Sequence, residues 1–144
     1  MDEAKIESLT SRIEYSTPGR GFCEISSELQ QSLRLSGVKS GLFHVFLRHT
    51  SASLLLTENA DPDVRYDLEN FISRLVPDGD PQYLHRAEGP DDMPAHIRSV
   101  LTSSELSLPV RDGQLALGTW QGVYLWEHRS RPHRRILDIT IIGS

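Results

Sequence analysis

Cysteine is almost absent: Cys23 is the only one in 144 residues. This excludes an internal disulfide and a cysteine-based zinc site, and a lone thiol suits a reducing compartment. A chain of this length buries roughly 70% of its unfolded surface, so it folds without either device. The plain reading of Cys23 is a small buried hydrophobe. Long apolar runs are missing too. No stretch approaches the ~18 residues that span a bilayer. The opening MDEAKIESLT is acidic and lacks a basic-then-apolar signal pattern, so the expected location is cytoplasmic, with no membrane partner. There is no excess of positive charge. The net charge of −5 gives no support for general nucleic-acid binding. The chain has no glycine-rich phosphate loop, dinucleotide fingerprint or G-x-S-x-G elbow. Internal repeats, linkers and low-complexity tracts are also lacking, so one domain over 1–144 is expected.

The pattern that is present predicts an α+β fold, a mainly antiparallel sheet covered by two or three helices. A strand is expected from Ala4 to Tyr15, broken by Pro18-Gly19-Arg20-Gly21. Phe22 to Ile25 follows as a second strand. Ser26 or Ser27 is placed to cap a helix running to about Leu35, which Gly37 ends. Gly41 to His49 reads as a buried strand with Phe43, Val45, Leu47 and His49 on one face. Ser53 to Thr57 continues the sheet. Asp61 before Pro62 marks a helix start, with Val64, Leu68, Phe71, Ile72 and Leu75 at helical spacing. A second helix begins near Pro94 and turns Ile97, Val100 and Leu101 inward. Arg111-Asp112-Gly113 reads as a hairpin turn. Residues 115–128 alternate as one long strand with a glycine-rich middle. Arg135, Leu137, Ile139 and Ile141 line one face of the last strand.

Three segments hold residues that a plain core does not need. In HTSASLLLTENADPDV (49–64), His49 has inward parity, and a buried imidazole needs partners for both nitrogens. In HRAEGPDDMPAHI (85–97), two histidines and three carboxylates crowd an irregular stretch. The spacing matches no standard zinc motif, although histidine nitrogen with carboxylate oxygen suits Zn²⁺ or Mn²⁺ and carboxylates alone suit Mg²⁺. The alternative is a polar loop with Asp92 capping the helix. In GQLALGTWQGVYLWEHR (113–129), Gly118 and Gly122 flank Trp120, either an aromatic wall for a ring or a packed tryptophan. Glu127 lies on an apolar face and needs a cation, a histidine or a backbone donor. Arg129, Arg131, His133, Arg134 and Arg135 form a basic run, either a solvated turn or an anion-binding rim.

Taken together, HTSASLLLTEN-DP at 49–62, H-EGPDDMPAHI at 85–97 and LALGTWQGVYL-EHR at 115–129 resemble the YjbQ family. The tail RSRPHRRILDI departs from the family pattern in lacking a glycine-rich turn. The resemblance implies a compact α+β fold that assembles as a homotrimer. It also implies a weak thiamine-phosphate synthase activity, joining a pyrimidylmethyl diphosphate to a thiazole phosphate with release of pyrophosphate. A metal-bearing histidine pocket is implied as well, with His49, His85 and His96 as ligands of a divalent ion, Zn or Mg. Asp61, Asp67 and Glu127 would support those ligands, and His128 is a poorer ligand candidate. Asp67, Glu127 and Ser51 are the implied catalytic residues. Thr119, Trp120, Gln121 and Arg129 would meet the phosphorylated substrate, with Ser51 and Thr119 at its phosphate and the pyrimidine stacked on Trp120. The rival reading is a protein that binds a metal and a small anion without turnover. A third is a structural trimer with histidines buried at its interfaces.

Overall fold

The computed structural model describes residues 5–144; Ala4, the expected start of the first strand, lies outside them. The elements in chain order are β1 (Glu7–Ser16), β2 (Gly21–Glu24), α1 (Ser26–Ser36), β3 (Gly41–Leu47), β4 (Ala52–Glu58), α2 (Pro62–Leu75), α3 (Asp92–Leu101), β5 (Glu105–Arg111), β6 (Gln114–Leu115), β7 (Gln121–Glu127) and β8 (Arg134–Gly143). They form two antiparallel sheets, one ordered β1-β8-β3-β5-β6 and the other β2-β7-β4. The fold is α+β, as the sequence pattern predicts. Among the described residues no helix is long and apolar enough to cross a membrane.

Period-two patterning explains the layering. Phe43, Val45 and Leu47 of β3 pack with Leu137, Ile139 and Ile141 of β8 in the main core. Leu54 of β4 and Val123 and Leu125 of β7 approach from the second sheet, and Leu29 and Leu33 of α1 complete the core. Each such side chain contributes about 1.5–3 kcal/mol. The alternate residues of the small sheet, Leu55 and Trp126, face Ile72 and Val76 at the end of α2, with Ile97 of α3 beside them. The small sheet is therefore covered on both faces, and β7 is buried continuously from Gly122 to Glu127.

Local chemistry sets the element ends. Asp61 accepts the Asp63 N–H at 2.9 Å and Pro62 opens α2. Asp112 and Gly113 both take positive φ, 52° and 74°, as a two-residue hairpin turn requires. At Gly41, φ is 155° and a Cβ would stand 2.0 Å from the Ile142 carbonyl oxygen, so β3 and β8 close together only over glycine.

Four expectations are corrected. Neither Ser26 nor Ser27 caps α1; Ile25 occupies that position and Ser26 Oγ instead accepts the Val123 N–H at 2.9 Å. On α2 only Ile72 is buried, and Phe71 and Leu75 are exposed. On α3 the buried residues are Asp92, Pro94, Ala95 and Arg98, while Val100 is 83% exposed. The long strand over 115–128 is interrupted between Leu115 and Gln121, where Gly118 N–H bonds to Gln121 Oε1 at 2.8 Å and the chain turns.

Candidate functional site

The α2–α3 loop delivers His85 to the start of α3, where Asp92 and His96 share a helix face at i and i+4. Asp92 Oδ2 lies 2.6 Å from His85 Nε2 and 3.1 Å from His96 Nε2. One ligand atom from each of the three lies within 4.8 Å of the others. His96 Nδ1 is 3.1 Å from the Thr50 carbonyl oxygen. A carbonyl can only accept, so Nδ1 carries the proton. In the neutral ring Nε2 then aims a lone pair at the Asp92 carboxylate, which calls for a second proton or a cation between them. Two imidazole nitrogens and one carboxylate oxygen fit zinc and leave a fourth ligand position open.

Arg129 holds the other side of Asp92. Its NH1 donates to Asp92 Oδ1 at 2.8 Å, its Nε to Asp91 Oδ2 at 2.9 Å and its NH2 to the Glu88 carbonyl at 3.0 Å. Asp91 Oδ2 also accepts from the Ser130 N–H at 2.9 Å and from its hydroxyl at 3.1 Å. Burial pushes the Asp91 carboxyl up, but the Ser130 N–H and the Arg129 guanidinium hold it well below the ordinary carboxylate range. Asp92 follows the same pattern: burial opposes ionisation, and His85, Arg129 and His96 outweigh it. Each nitrogen of the Arg129 side chain is thus engaged within the protein.

Within one chain, His49 is not part of the His85–Asp92–His96 cluster. Its Nε2 accepts the Ile136 N–H at 2.8 Å, so in the neutral ring the proton sits on Nδ1. Burial, then the charge of Arg135, lowers its pKa. The residue ends the β3 run by satisfying a β8 backbone donor, and that commitment removes the nitrogen a metal would use.

Glu127 is fully buried and meets the demand for a cation through Arg135. Its Oε1 accepts from Thr17 Oγ1 at 2.7 Å and from Arg135 Nε at 2.8 Å, and its Oε2 accepts from Arg135 NH2 and from the Arg129 N–H. Burial pushes its pKa up, but Arg135 and Thr17 pull it below the usual value. Ser51 is buried with its Oγ accepting from Arg135 NH2 at 3.0 Å.

His128 is fully buried and its Nε2 stands 2.7 Å from Ser53 Oγ. Ser53 Oγ meets Thr102 Oγ1, which donates to the Arg98 carbonyl at 2.7 Å. The directions chain together: His128 Nε2–H to Ser53, Ser53 to Thr102, Thr102 to the backbone. His128 Nδ1 has no protein partner among the described residues.

The remaining candidates stand elsewhere. Asp61 caps α2, and Asp67 is exposed on that helix. Thr119 and Trp120 form an exposed turn leading into Gln121, the exposed first residue of β7, with Trp120 63% exposed. The turn abuts the Glu58–Gln121 end of the β4–β7 pair, whereas Thr50, the partner of His96, precedes the Ala52–Glu127 end. Six residue steps along a strand place these ends roughly 20 Å apart. Of the basic run, Arg129 and Arg135 are tied to acids inside the protein, and Arg131 and Arg134 are exposed. Sequence reasoning passed over Asp92 as a ligand, although Asp92-x-x-x-His96 is the helical i,i+4 spacing that juxtaposes two side chains. No local pattern marks the Arg129 contacts, which span 37 and 38 residues to Asp92 and Asp91.

A family model described as UPF0047 protein YjbQ-like matches residues 11–144. A UPF0047 protein of Synechocystis sp. is 52% identical over 128 residues, covering 89% of this chain and 87% of that protein. UPF0047 protein YjbQ of Escherichia coli O157:H7 is 46% identical over 130 residues, covering 90% and 94%. The crystal structure of a conserved hypothetical protein from Thermus thermophilus is 36% identical and superposes with a TM-score of 0.80, covering 90% of this chain and 97% of that one. A YbjQ-like protein of unknown function from Sulfolobus solfataricus shares the fold with a TM-score of 0.87 at 23% identity, covering 97% and 100%.

Proposed function

The chain belongs to the UPF0047 YjbQ-like family, and from that footing we propose a metal-dependent transferase acting on a small phosphorylated substrate. The specific reaction is that of a weak thiamine-phosphate synthase, which joins a pyrimidylmethyl diphosphate to a thiazole phosphate and releases pyrophosphate. The observation that carries the metal assignment is the His96 geometry: Nδ1 is committed to Thr50 at 3.1 Å while Nε2 faces Asp92 Oδ2 at 3.1 Å. His85, Asp92 and His96 would hold the divalent ion, and zinc suits this nitrogen-rich set better than magnesium. A divalent ion bound there would supply positive charge to offset the negative charge developing on a pyrophosphate leaving group. The Thr50 carbonyl orients His96, and Arg129 holds Asp92. The Trp120 turn stands roughly 20 Å from the cluster in its own chain. Stacking of the pyrimidine ring on Trp120 at this site would therefore require the turn of a neighbouring copy in the proposed homotrimer.

One observation favours the alternative, a protein that binds a metal and a small anion without turnover. Of the carboxylates expected to take part in chemistry, Asp67 is exposed on α2 and Glu127 is saturated by four hydrogen bonds. Metal analysis of the purified protein, followed by synthase assays with and without chelator, separates the two. Metal-dependent product formation that His96→Ala abolishes supports the enzyme. Metal-loaded protein that forms no product supports the binder, and activity indifferent to chelator overturns the metal reading.

A further inference from the structure

Asp91 and Asp92 are adjacent and buried, yet only Asp92 faces the two histidines. Asp91 Oδ2 is spent on Arg129 Nε and on both donors of Ser130. Asp92 divides its oxygens: Oδ1 accepts from Arg129 NH1, and Oδ2 points at His85 and His96. The planar guanidinium spans both carboxylates and is anchored from behind by the Glu88 carbonyl. Two neighbouring carboxylates repel each other, and the cation between them removes that repulsion. Its fork geometry also fixes which oxygen of Asp92 is free.

We propose that Arg129 is a positioning residue for the cation site: by occupying Asp92 Oδ1 and tethering Asp91, it makes Asp92 a one-oxygen ligand through Oδ2 and keeps Asp91 out of the coordination set. The inference rests on the metal reading above and extends it from the ligands to the residue that sets their geometry. It also changes the part Arg129 plays, from meeting the phosphorylated substrate to shaping the ligand set. Lysine keeps the charge but is a point donor, so it cannot grip two carboxylates in one plane.

Co²⁺ titration tests this, because cobalt stands in for zinc and its visible absorption reports ligand number. The whole protein is stripped with chelator and titrated by calorimetry and absorption in parallel. Wild type takes up one Co²⁺ per chain. Arg129→Lys, shown folded by circular dichroism, binds about 10- to 100-fold more weakly, the usual effect of losing a group that orients a ligand. Its spectrum moves toward higher coordination, because Asp92 can then offer both oxygens. If Arg129→Lys does not fold, Asp91→Asn serves instead. It removes one carboxylate from the fork, and the same weakening is expected. Wild-type affinity and spectrum in the folded variant overturn the role of Arg129. Failure of the wild type to take up Co²⁺ removes the metal reading itself.

Discussion

Glu127 and Arg135 form a fully enclosed ion pair, with the carboxylate ending β7 and the guanidinium near the start of β8. Thr17 and Ser51 close the remaining positions around it. Removing one partner strands the other charge away from water. Glu127→Gln should therefore lose about 3–5 kcal/mol of stability by urea denaturation. Glu127→Gln combined with Arg135→Met should recover much of that loss. A single variant as stable as wild type would show that water reaches the pair.

The divalent ion should stabilise the folded chain by mass action. At a free metal concentration about 100 times the dissociation constant, the gain is about 2.7 kcal/mol. Zn²⁺ should raise the melting temperature of wild type and leave that of a His85→Ala, His96→Ala variant unmoved. An equal rise in both would place the ion elsewhere.

His128 predicts acid sensitivity. Burial, then the charges of Arg98, Arg20 and Arg135, push its pKa down from 6.5 to about 3. Between those values the unfolded chain holds a proton that the folded chain does not, so stability falls as pH falls through that window. The slope contributed reaches about 1.4 kcal/mol per pH unit. Glu127, with its lowered pKa, adds loss in the same direction at the acid end. Thermal melts at about pH 7.5 and about pH 5 measure the effect, and superimposable melts would contradict the neutral buried imidazole.

Gly41→Ala should be severely destabilising. A Cβ there meets the Ile142 carbonyl oxygen at 2.0 Å and sits at φ 155°. Strain of about 1–3 kcal/mol from the backbone adds to a similar cost from the clash. Trp120→Ala, by contrast, should change chain stability by less than about 0.5 kcal/mol, because that ring is mostly in solvent. If the homotrimer holds the ring, the same substitution lowers the mass seen in solution.

What could be read from the residues depended on the range of the contacts behind it. The β3 alternation, the Asp61-Pro62 helix start and the 112–113 turn are decided by neighbours within a few positions, and the structure has them. The inward face of α3 differs from the expected one because Arg98 is buried through Glu69, Ser73 and Val76, partners 22 to 29 residues away. The division into two sheets is not legible in the sequence, since the pairings that define it, β2 with β7 and β4 with β7, join segments far apart along the chain. His85 and His96 were singled out by composition, and the structure brings them together across a loop. His49 had the right parity, but the Ile136 N–H that engages it is 87 positions away.

Cys23 lies on β2, an edge strand of the small sheet, paired with Leu125 of the central strand β7 and enclosed by the main core. Burial raises its pKa, which keeps the thiol in its unreactive form. The molecule therefore carries a natural clock for its own breathing. The rate at which a thiol reagent labels it reads how often β2 lifts from β7, in a background free of any competing sulfhydryl.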